Sequence, residues 1–325
     1  MWRTSVDTQG LSGSSAVTVS VRCRLHAAVD RGRGGRGGRG RRGGAAATAT
    51  SCTLLDKSCP KSDFSRMRST RAWVDGMHAS GRLIFSFEQA RTDLGVTTAA
   101  AKSTLSRGQA HGLLYSPAQG LYVVVPAEYR TAGAPPWQWY LDPMMRHLAV
   151  GYYAGLLTAA AHHGASPQVA QETQVVVERQ QRNRPAGRGR LRFVQNPSAG
   201  EAPVIEVPTP TGRVRISTPE VTMLDLVAHP VVSGGWSNVA SLLAELGQLG
   251  SRRGWQQALR TGPAVLQVQR LGYLLDSAGA PNTNELSDWL ASRPRRVITL
   301  VPRGRREGIP DPHWRVIPDP LVQPD

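Results

Sequence analysis

Cysteine is nearly missing from this chain. The three present, Cys23, Cys52 and Cys59, all fall in the first 60 of 325 residues. An odd number confined to one end supplies neither a disulfide framework nor a zinc quartet. No run of about 18 or more apolar residues occurs, so no membrane-spanning helix is expected. The opening residues have no basic region followed by an apolar one, so no secretory signal is expected, and the setting read from this is cytoplasmic. Aromatic residues make up only 6% of the chain, but a hydrophobic fraction of 40% still suits globular cores. The length accommodates two domains of ordinary size. Also absent are a G-x-S-x-G elbow, a Walker loop and an H-E-x-x-H pair, and the Gly-rich stretches do not lie between a strand and a helix. The expectation is a non-enzyme with no catalytic residues, no metal site and no cofactor.

Acidic residues are also scarce, 23 against 39 Lys and Arg, for a formal charge of +16. The excess is uneven. Residues 1–72 hold fourteen basic and four acidic side chains, net +10, and residues 73–325 hold twenty-five and nineteen, net +6. Most of the basic signal therefore lies in a tail, and a high isoelectric point alone does not establish DNA binding. Asp30 to Gly44, DRGRGGRGGRGRRGG, is Arg/Gly low complexity followed by AAATATS, so residues 1–68 read as a disordered extension. Three readings of it stay open: an RGG-type arm on nucleic acid, an extension without a role, or upstream sequence ahead of a true start at Met67 or Met77.

The best-defined stretch is Gly81 to Pro126, GRLIFSFEQARTDLGVTTAAAKSTLSRGQAHGLLYSPAQGLYVVVP. Phe87, Ala90 and Leu94 recur at helical spacing, and Gly95 is placed to stop that helix. Thr97 or Thr98 can cap a second helix carrying Ala101 and Leu105 on one face, ended by His111 and Gly112. Leu113–Tyr115 and Leu121–Val125 are β-prone runs around the turn SPAQG. Ahead of these, Trp73, Val74 and Met77 predict a further helix, and Leu83–Phe85 a short strand. Helix, turn, helix and hairpin make a winged helix-turn-helix, whose second helix enters the DNA major groove. Thr97, Thr98, Ala99, Lys102, Ser103, Ser106 and Arg107 are the expected DNA-facing positions, with Ser116 and Gln119 in the wing. Gly108 inside the second helix costs about 1 kcal/mol relative to Ala, and the wing turn has no Lys or Arg. Use of the same shape for protein contact is the other reading.

Ala134-Pro135-Pro136 breaks regular structure and marks an expected domain junction, with Trp137, Trp139 and Tyr140 docking the linker. A mixed α and β region follows. Tyr152 to His163 reads as an apolar helix, and Thr173–Glu178, Arg190–Val194, Val204–Val207 and Arg213–Ile216 read as strands. Ser217-Thr218-Pro219-Glu220 starts a helix, with Glu220 able to close a capping box on Ser217. Helices are expected over Val239–Leu249, Ala264–Ser277 and Glu285–Ala291, and VITLV and WRVI are strand-like. Arginines 179, 182, 184, 188, 190 and 192 surround what reads as a basic loop. Arg179, Arg182, Arg184, Arg188 and Arg190 are candidate phosphate or partner contacts, with a solvated loop as the alternative. Adjacent His162 and His163 point about 100° apart on a helix and read as capping or core residues. Asp225 reads as structural.

Several motifs together resemble a known family. GLYVVVPAEYRTAGAPPWQWYLDPMMRHL from Gly120, YYAGLLTAAAHHGAS from Tyr152, TPTGRVRISTPEVTMLDLVAHP from Thr209, NVASLLAELGQL from Asn238 and VQRLGYLLD from Val268 are similar to the AbiEi antitoxins of type IV, abortive-infection toxin–antitoxin systems. The resemblance implies an N-terminal winged helix that represses its own operon and a larger C-terminal α/β domain for antitoxin activity. It also implies a nucleotidyltransferase toxin encoded alongside. Carried over, the DNA-reading element is Thr97–Ala110 and the wing Leu113–Val125. The chain departs from the family pattern at Gly108, where members usually have Leu, and at Ala118 and Gln119, where members carry basic residues.

The expected fold is α+β: a tail over 1–68, a winged helix-turn-helix over 69–130 and an α/β antitoxin domain over 131–325. The expected function is antitoxin and DNA-binding autorepressor in phage defence. Its partners would be promoter DNA with inverted repeats, bound by two copies, and the toxin, with no membrane. The alternative is a nucleic-acid or protein-interaction factor acting through the tail and basic loop.

Overall fold

In the computed structural model, residues 69–165, 172–304 and 306–322 are described. The Arg/Gly-rich extension and all three cysteines lie outside them. Helix α1 (Thr70–Ala79) is capped by the Ser69 hydroxyl and buries Trp73, Val74 and Met77. Strand β1 (Ile84–Ser86) runs directly into α2 (Phe87–Leu94), because Ser86 is both the last strand residue and the helix cap. Ser86 Oγ accepts from the Gln89 amide at 3.2 Å, and Gln89 Oε1 accepts from the Ser86 amide at 2.8 Å. This reciprocal pair satisfies two helix-end donors. Gly95 ends α2 in the left-handed region at φ 62°, where a Cβ would be strained. Thr97 then caps α3 (Thr98–Ala110). Strands β2 (Leu114–Ala118) and β3 (Leu121–Val124) complete an antiparallel sheet of order β1-β3-β2. Trp73, Phe85, Leu105, Leu114 and Val124 form its small core, with Trp73 edge-on to Phe85 at 5.3 Å.

Two local readings are sharpened here. SPAQG is mostly strand: β2 continues through a bulge to Ala118, leaving Gln119-Gly120 as the turn. Gly108 is explained by packing, because a Cβ there would lie 2.7 Å from Leu114 Cδ1. Its helix-propensity cost is offset by close approach of α3 to β2.

The segment expected to be a docked linker is instead largely helical. After a 3-10 turn (Ala127–Ala132) comes α4 (Trp137–His147), which buries Tyr140, Leu141, Met144 and Met145. Its apolar positions recur at helical spacing, but the prolines obscure them. Pro136 sits at the cap, where a missing amide costs nothing. Pro143 would leave the Trp139 carbonyl unpartnered, and the Thr211 hydroxyl donates to that carbonyl instead.

The body is a six-stranded sheet of order β6-β7-β5-β4-β9-β8. Its strands are β4 (Tyr152–Ala154), β5 (Glu172–Val177), β6 (Arg184–Ala186), β7 (Gly189–Gln195), β8 (Val204–Thr209) and β9 (Gly212–Ser217). The pairs β6/β7 and β8/β9 are antiparallel hairpins, β4/β9 and β5/β7 are parallel, and β4/β5 is antiparallel. The expected helix over 152–163 is therefore wrong in its first half. Tyr152–Ala154 is a central strand, and only α5 (Leu156–His162) is helical. A strand buried on both faces is as uniformly apolar as a buried helix, so periodicity cannot separate them. Gly155 makes the break, where a Cβ would meet Val176 Cγ2 at 2.8 Å.

One sheet face, with Tyr153, Val176 and Val194, packs on α5, α6 (Pro219–Ala228), α7 (Trp236–Leu246), α8 (Arg252–Leu259), α9 (Val265–Ser277) and α10 (Asn284–Ala291). The other face, with Tyr152, Val175 and Val177, packs on α4 and on Ala118, Leu121 and Val123 of the β2–β3 hairpin. Thr218 caps α6, but the expected Glu220–Ser217 capping box does not form. Glu220 is buried and accepts from the Ser251 amide (2.9 Å) and hydroxyl (3.0 Å), which ties α6 to the start of α8. Two short parallel strands, β10 (Ile298–Thr299) and β11 (Val316–Ile317), close the described chain. Trp314 before β11 lies on Gly272 of α9, where a Cβ would come within 2.1 Å of the indole, and its Nε1 donates to Asp276 at 2.6 Å.

Candidate nucleic-acid interface

Helix α3 has two unlike faces. Ala101, Leu105 and Gly108 are buried against α1, α2 and β2, and Thr97, Thr98, Ala99, Lys102, Ser103, Ser106 and Arg107 are all exposed. No acidic residue occurs in α3. The nearest acids upstream are paired: Glu88 with Arg91 at 2.9 Å and Asp93 with Arg82 at 2.5 Å. Lys102 has no partner among the described residues. Arg107 donates only along its own helix, to the Ser103 carbonyl (3.3 Å) and the Thr104 hydroxyl (3.4 Å). Such long, exposed contacts are weak and give way readily to a better acceptor. The exposed face of α3 therefore carries short hydroxyls, two cations and no competing anion.

The two candidates in the β2–β3 hairpin are placed differently. Ser116 is half-buried, and its hydroxyl serves the hairpin itself, 2.9 Å from the Ala118 and Leu121 carbonyls. Gln119 exposes its side chain, but its carbonyl accepts from His147 Nε2 at 2.9 Å. The rest of the hairpin is also held to the body. Tyr115 donates to the Pro185 carbonyl at 2.6 Å, and Arg184 Nη1 donates to the Pro117 carbonyl at 2.9 Å. Tyr115 stands edge-on to Tyr140 at 5.2 Å. Nothing in the sequence joined Tyr115, Arg184 and His147, which lie on three separate segments.

The basic loop is a hairpin, β6–β7, and most of its arginines are already engaged. Arg179 donates to the Ala149 carbonyl, and Arg184 to the wing. Arg190 and Arg192 share Glu172 at 3.4 and 3.2 Å. Arg182 and Arg188 are exposed and have no partner among the described residues. The hairpin tip is pressed close to the 3-10 turn, where a Cβ on Gly187 would lie 2.2 Å from the Ala132 carbonyl. Backbone carbonyls thus hold Arg179 and Arg184, an exposed pairing to one carboxylate engages Arg190 and Arg192, and Arg182 and Arg188 are unpartnered among the described residues.

The remaining candidates are internal. His163 Nε2 donates to the Ser217 carbonyl at 2.8 Å, and burial holds its pKa below the usual 6.5. His162 is exposed beside it. Asp225 is buried and accepts from the Tyr153 hydroxyl at 2.9 Å, and desolvation raises its pKa to about 7. The one sequence signal for it was an acid inside the apolar run MLDLV. Among the described residues, no three His, Cys, Asp or Glu are grouped to hold a metal, and no helix is long and apolar enough to cross a membrane.

Comparison with known proteins agrees with the body of this fold. Residues 153–277, from β4 to the end of α9, match the profile of the AbiEi antitoxin C-terminal domain. No curated protein sequence matches the chain. Among solved structures, the crystal structure of the RV2827C protein from Mycobacterium tuberculosis is similar, with a TM-score of 0.55 and 19% identity. That similarity covers 76% of this chain and 89% of that one, and at this identity it speaks to the fold alone.

Proposed function

We propose, from the match of residues 153–277 to the AbiEi antitoxin C-terminal domain, that the protein is the antitoxin of a type IV toxin–antitoxin system and represses its own operon. In this reading residues 69–130 act as a winged helix-turn-helix, and the domain from 131 onward counteracts a nucleotidyltransferase toxin. The observation that carries the DNA-binding half is the exposed face of α3. Thr97, Thr98, Lys102, Ser103, Ser106 and Arg107 are all exposed on a short helix held by a capped, Gly-ended helix-turn-helix. Lys102 and Arg107 reach phosphates or guanine edges, and the hydroxyls make the shorter contacts. The wing contributes little in this reading, since Ser116 and the hairpin carbonyls serve the protein itself. Two copies on an inverted repeat compensate for a modest single-site grip.

The test is fluorescence anisotropy of the full chain on its own promoter duplex and on a shuffled duplex, at two salt concentrations. The expected result is a preference for the promoter that persists at higher salt. Replacing Lys102 and Arg107 by Ala should flatten the salt slope by about 2 if each meets one phosphate. Equal affinity for both duplexes would overturn the repressor half. The antitoxin half is tested by co-expression with the neighbouring gene product, where unrelieved growth arrest counts against it. The alternative, binding through the tail and the Arg-rich hairpin, would draw on Arg182 and Arg188, unpartnered among the described residues, and on Arg190 and Arg192, whose pairing to Glu172 is exposed and weak. Deleting residues 1–66 separates the two readings, since only the alternative expects nucleic-acid binding to disappear.

A further inference from the structure

A cavity of about 260 Å³ opens at the C-terminal end of α6, enclosed by β4, the β7–β8 connection and the start of α9. Its polar lining includes Tyr153, Asn196, Asp225, His229, Thr261 and Gln267. Asp225 is 3% exposed, and its only side-chain hydrogen bond among the described residues is the one Oδ2 accepts from Tyr153. Among the described residues no group donates to Oδ1, which stays open to the cavity and is not sealed off as an orphan atom. A buried carboxyl with half its acceptors unused is costly unless a ligand or solvent completes it. The cavity that both Asp225 and Tyr153 line is where such a donor would sit.

Two features decide what kind of ligand. No Lys or Arg lines this cavity, although the chain has 39 of them. The groove beside β9, by contrast, is lined by Arg146, Arg213 and Arg215. A phosphate or carboxylate would find no cation here. The cavity lies between the carbonyl end of α6 and the amide end of α9, so the two helix dipoles oppose each other there and do not set the sign of the ligand. Finally, Val221, Leu224 and Pro263 give part of the wall an apolar character, which suits a ligand with a hydrocarbon body.

We propose that this cavity is a binding site for a small organic cation, an amine or amidine with an apolar body, held by Asp225 Oδ1 at the end of α6. The site is separate from α3 and goes beyond the antitoxin and repressor reading. The ligand's N–H donates to Oδ1 while Tyr153 continues to hold Oδ2, so both carboxylate oxygens are satisfied. His229 has its pKa lowered by burial and so adds no competing positive charge near neutral pH.

The experiment uses the full chain and four probes of similar size: benzylamine, benzamidine, benzyl alcohol and benzoate. Calorimetry and thermal melts at pH 8 are expected to show both cations binding with Kd of about 1 mM, as suits fragments of this size. The alcohol and the carboxylate should bind at least about tenfold more weakly. Asp225→Asn keeps an acceptor for Tyr153 and is expected to lose about tenfold or more in cation affinity while still melting cooperatively. The proposal is overturned if the cations bind no better than benzyl alcohol on the unaltered protein. It is also overturned if Asp225→Asn binds them unchanged. The first comparison needs no variant, so a folding defect in Asp225→Asn cannot leave the question open.

Discussion

The part of the molecule around α1–α3 and the α/β body solve the same problem at different scales. The first closes a small core around Trp73 and Phe85 and turns nearly every polar side chain outward. The second buries polar groups within its interior: Gln174, Glu220, Asp225 and Gln269 are each 3% exposed or less. Each of these has a protein partner. Gln174 caps α5 through the Leu157 amide at 2.9 Å, and Gln269 donates to the Trp314 carbonyl at 2.8 Å. A small core has no room for such groups, because each needs surrounding structure to satisfy it. The first region therefore presents an exposed helix face, and the second encloses a cavity lined by a buried carboxyl.

The two regions are joined through the β2–β3 hairpin, which belongs to the first by sheet pairing and to the second by packing. The strongest way to break the comparison is Trp73→Ala. Removing this fully buried indole should cost about 3–5 kcal/mol. Hydrogen exchange is expected to show amides of 70–125 losing protection while those of α6 and α9 keep theirs. If both regions open together, they are one cooperative unit and the contrast is only local.

The interior carboxyl is tested by pH. Asp225 has a folded pKa of about 7 against a usual 3.8, so the folded protein holds a proton that the unfolded chain releases. Its contribution is full below about pH 4 and is lost as pH rises toward 7. His163 and His229, with lowered pKa values, act oppositely, their contribution being lost as pH falls below 6.5. Asp225→Asn removes only the first trend. Between pH 5 and pH 8 the unaltered protein should therefore lose roughly 2–3 kcal/mol relative to the variant in urea titrations. A constant difference across that range would show that the carboxyl titrates normally.

A smaller effect sharpens the junction. Arg184→Ala removes the donor to the Pro117 carbonyl and should cost about 1 kcal/mol, seen as faster exchange in β2 and β3 with α3 unaffected. The smallest effect is expected at the surface. Lys102→Ala with Arg107→Ala should change stability by less than about 0.5 kcal/mol, although it weakens DNA binding in the proposed function. A stability loss above that range would mean these side chains serve the fold.

How far the sequence could be read follows the same division. Trp73, Phe87, Gly95, Thr97, Ala101 and Leu105 announced their elements correctly, because an amphipathic helix with caps displays its period locally. In the body, Tyr152–Ala154 read as helix because a strand covered on both faces has no alternation. The helix α4 was hidden by Pro136 and Pro143, and α8, only eight residues long, was not recognised at all. Glu220 read as a local capping partner and serves a helix thirty residues away. The arginines of 179–192 read as one basic cluster, whereas Arg184 reaches the wing and Arg190 and Arg192 meet Glu172.

Sequence by itself determined the helix-turn-helix, its caps and the outward set on α3, since these depend on neighbours within about four residues along the chain. It also carried the motifs that resemble the AbiEi antitoxins. Only the tertiary structure decided that Tyr153 lies against Asp225, that the β2–β3 hairpin is held to β6 and α4, and that a cavity lined by no Lys or Arg opens at the end of α6. The hydrogen bonds among them join residues 28 to 72 positions apart, and no periodicity or local propensity records such a pairing. It arises when the sheet brings the segments together and buried polar groups must find partners.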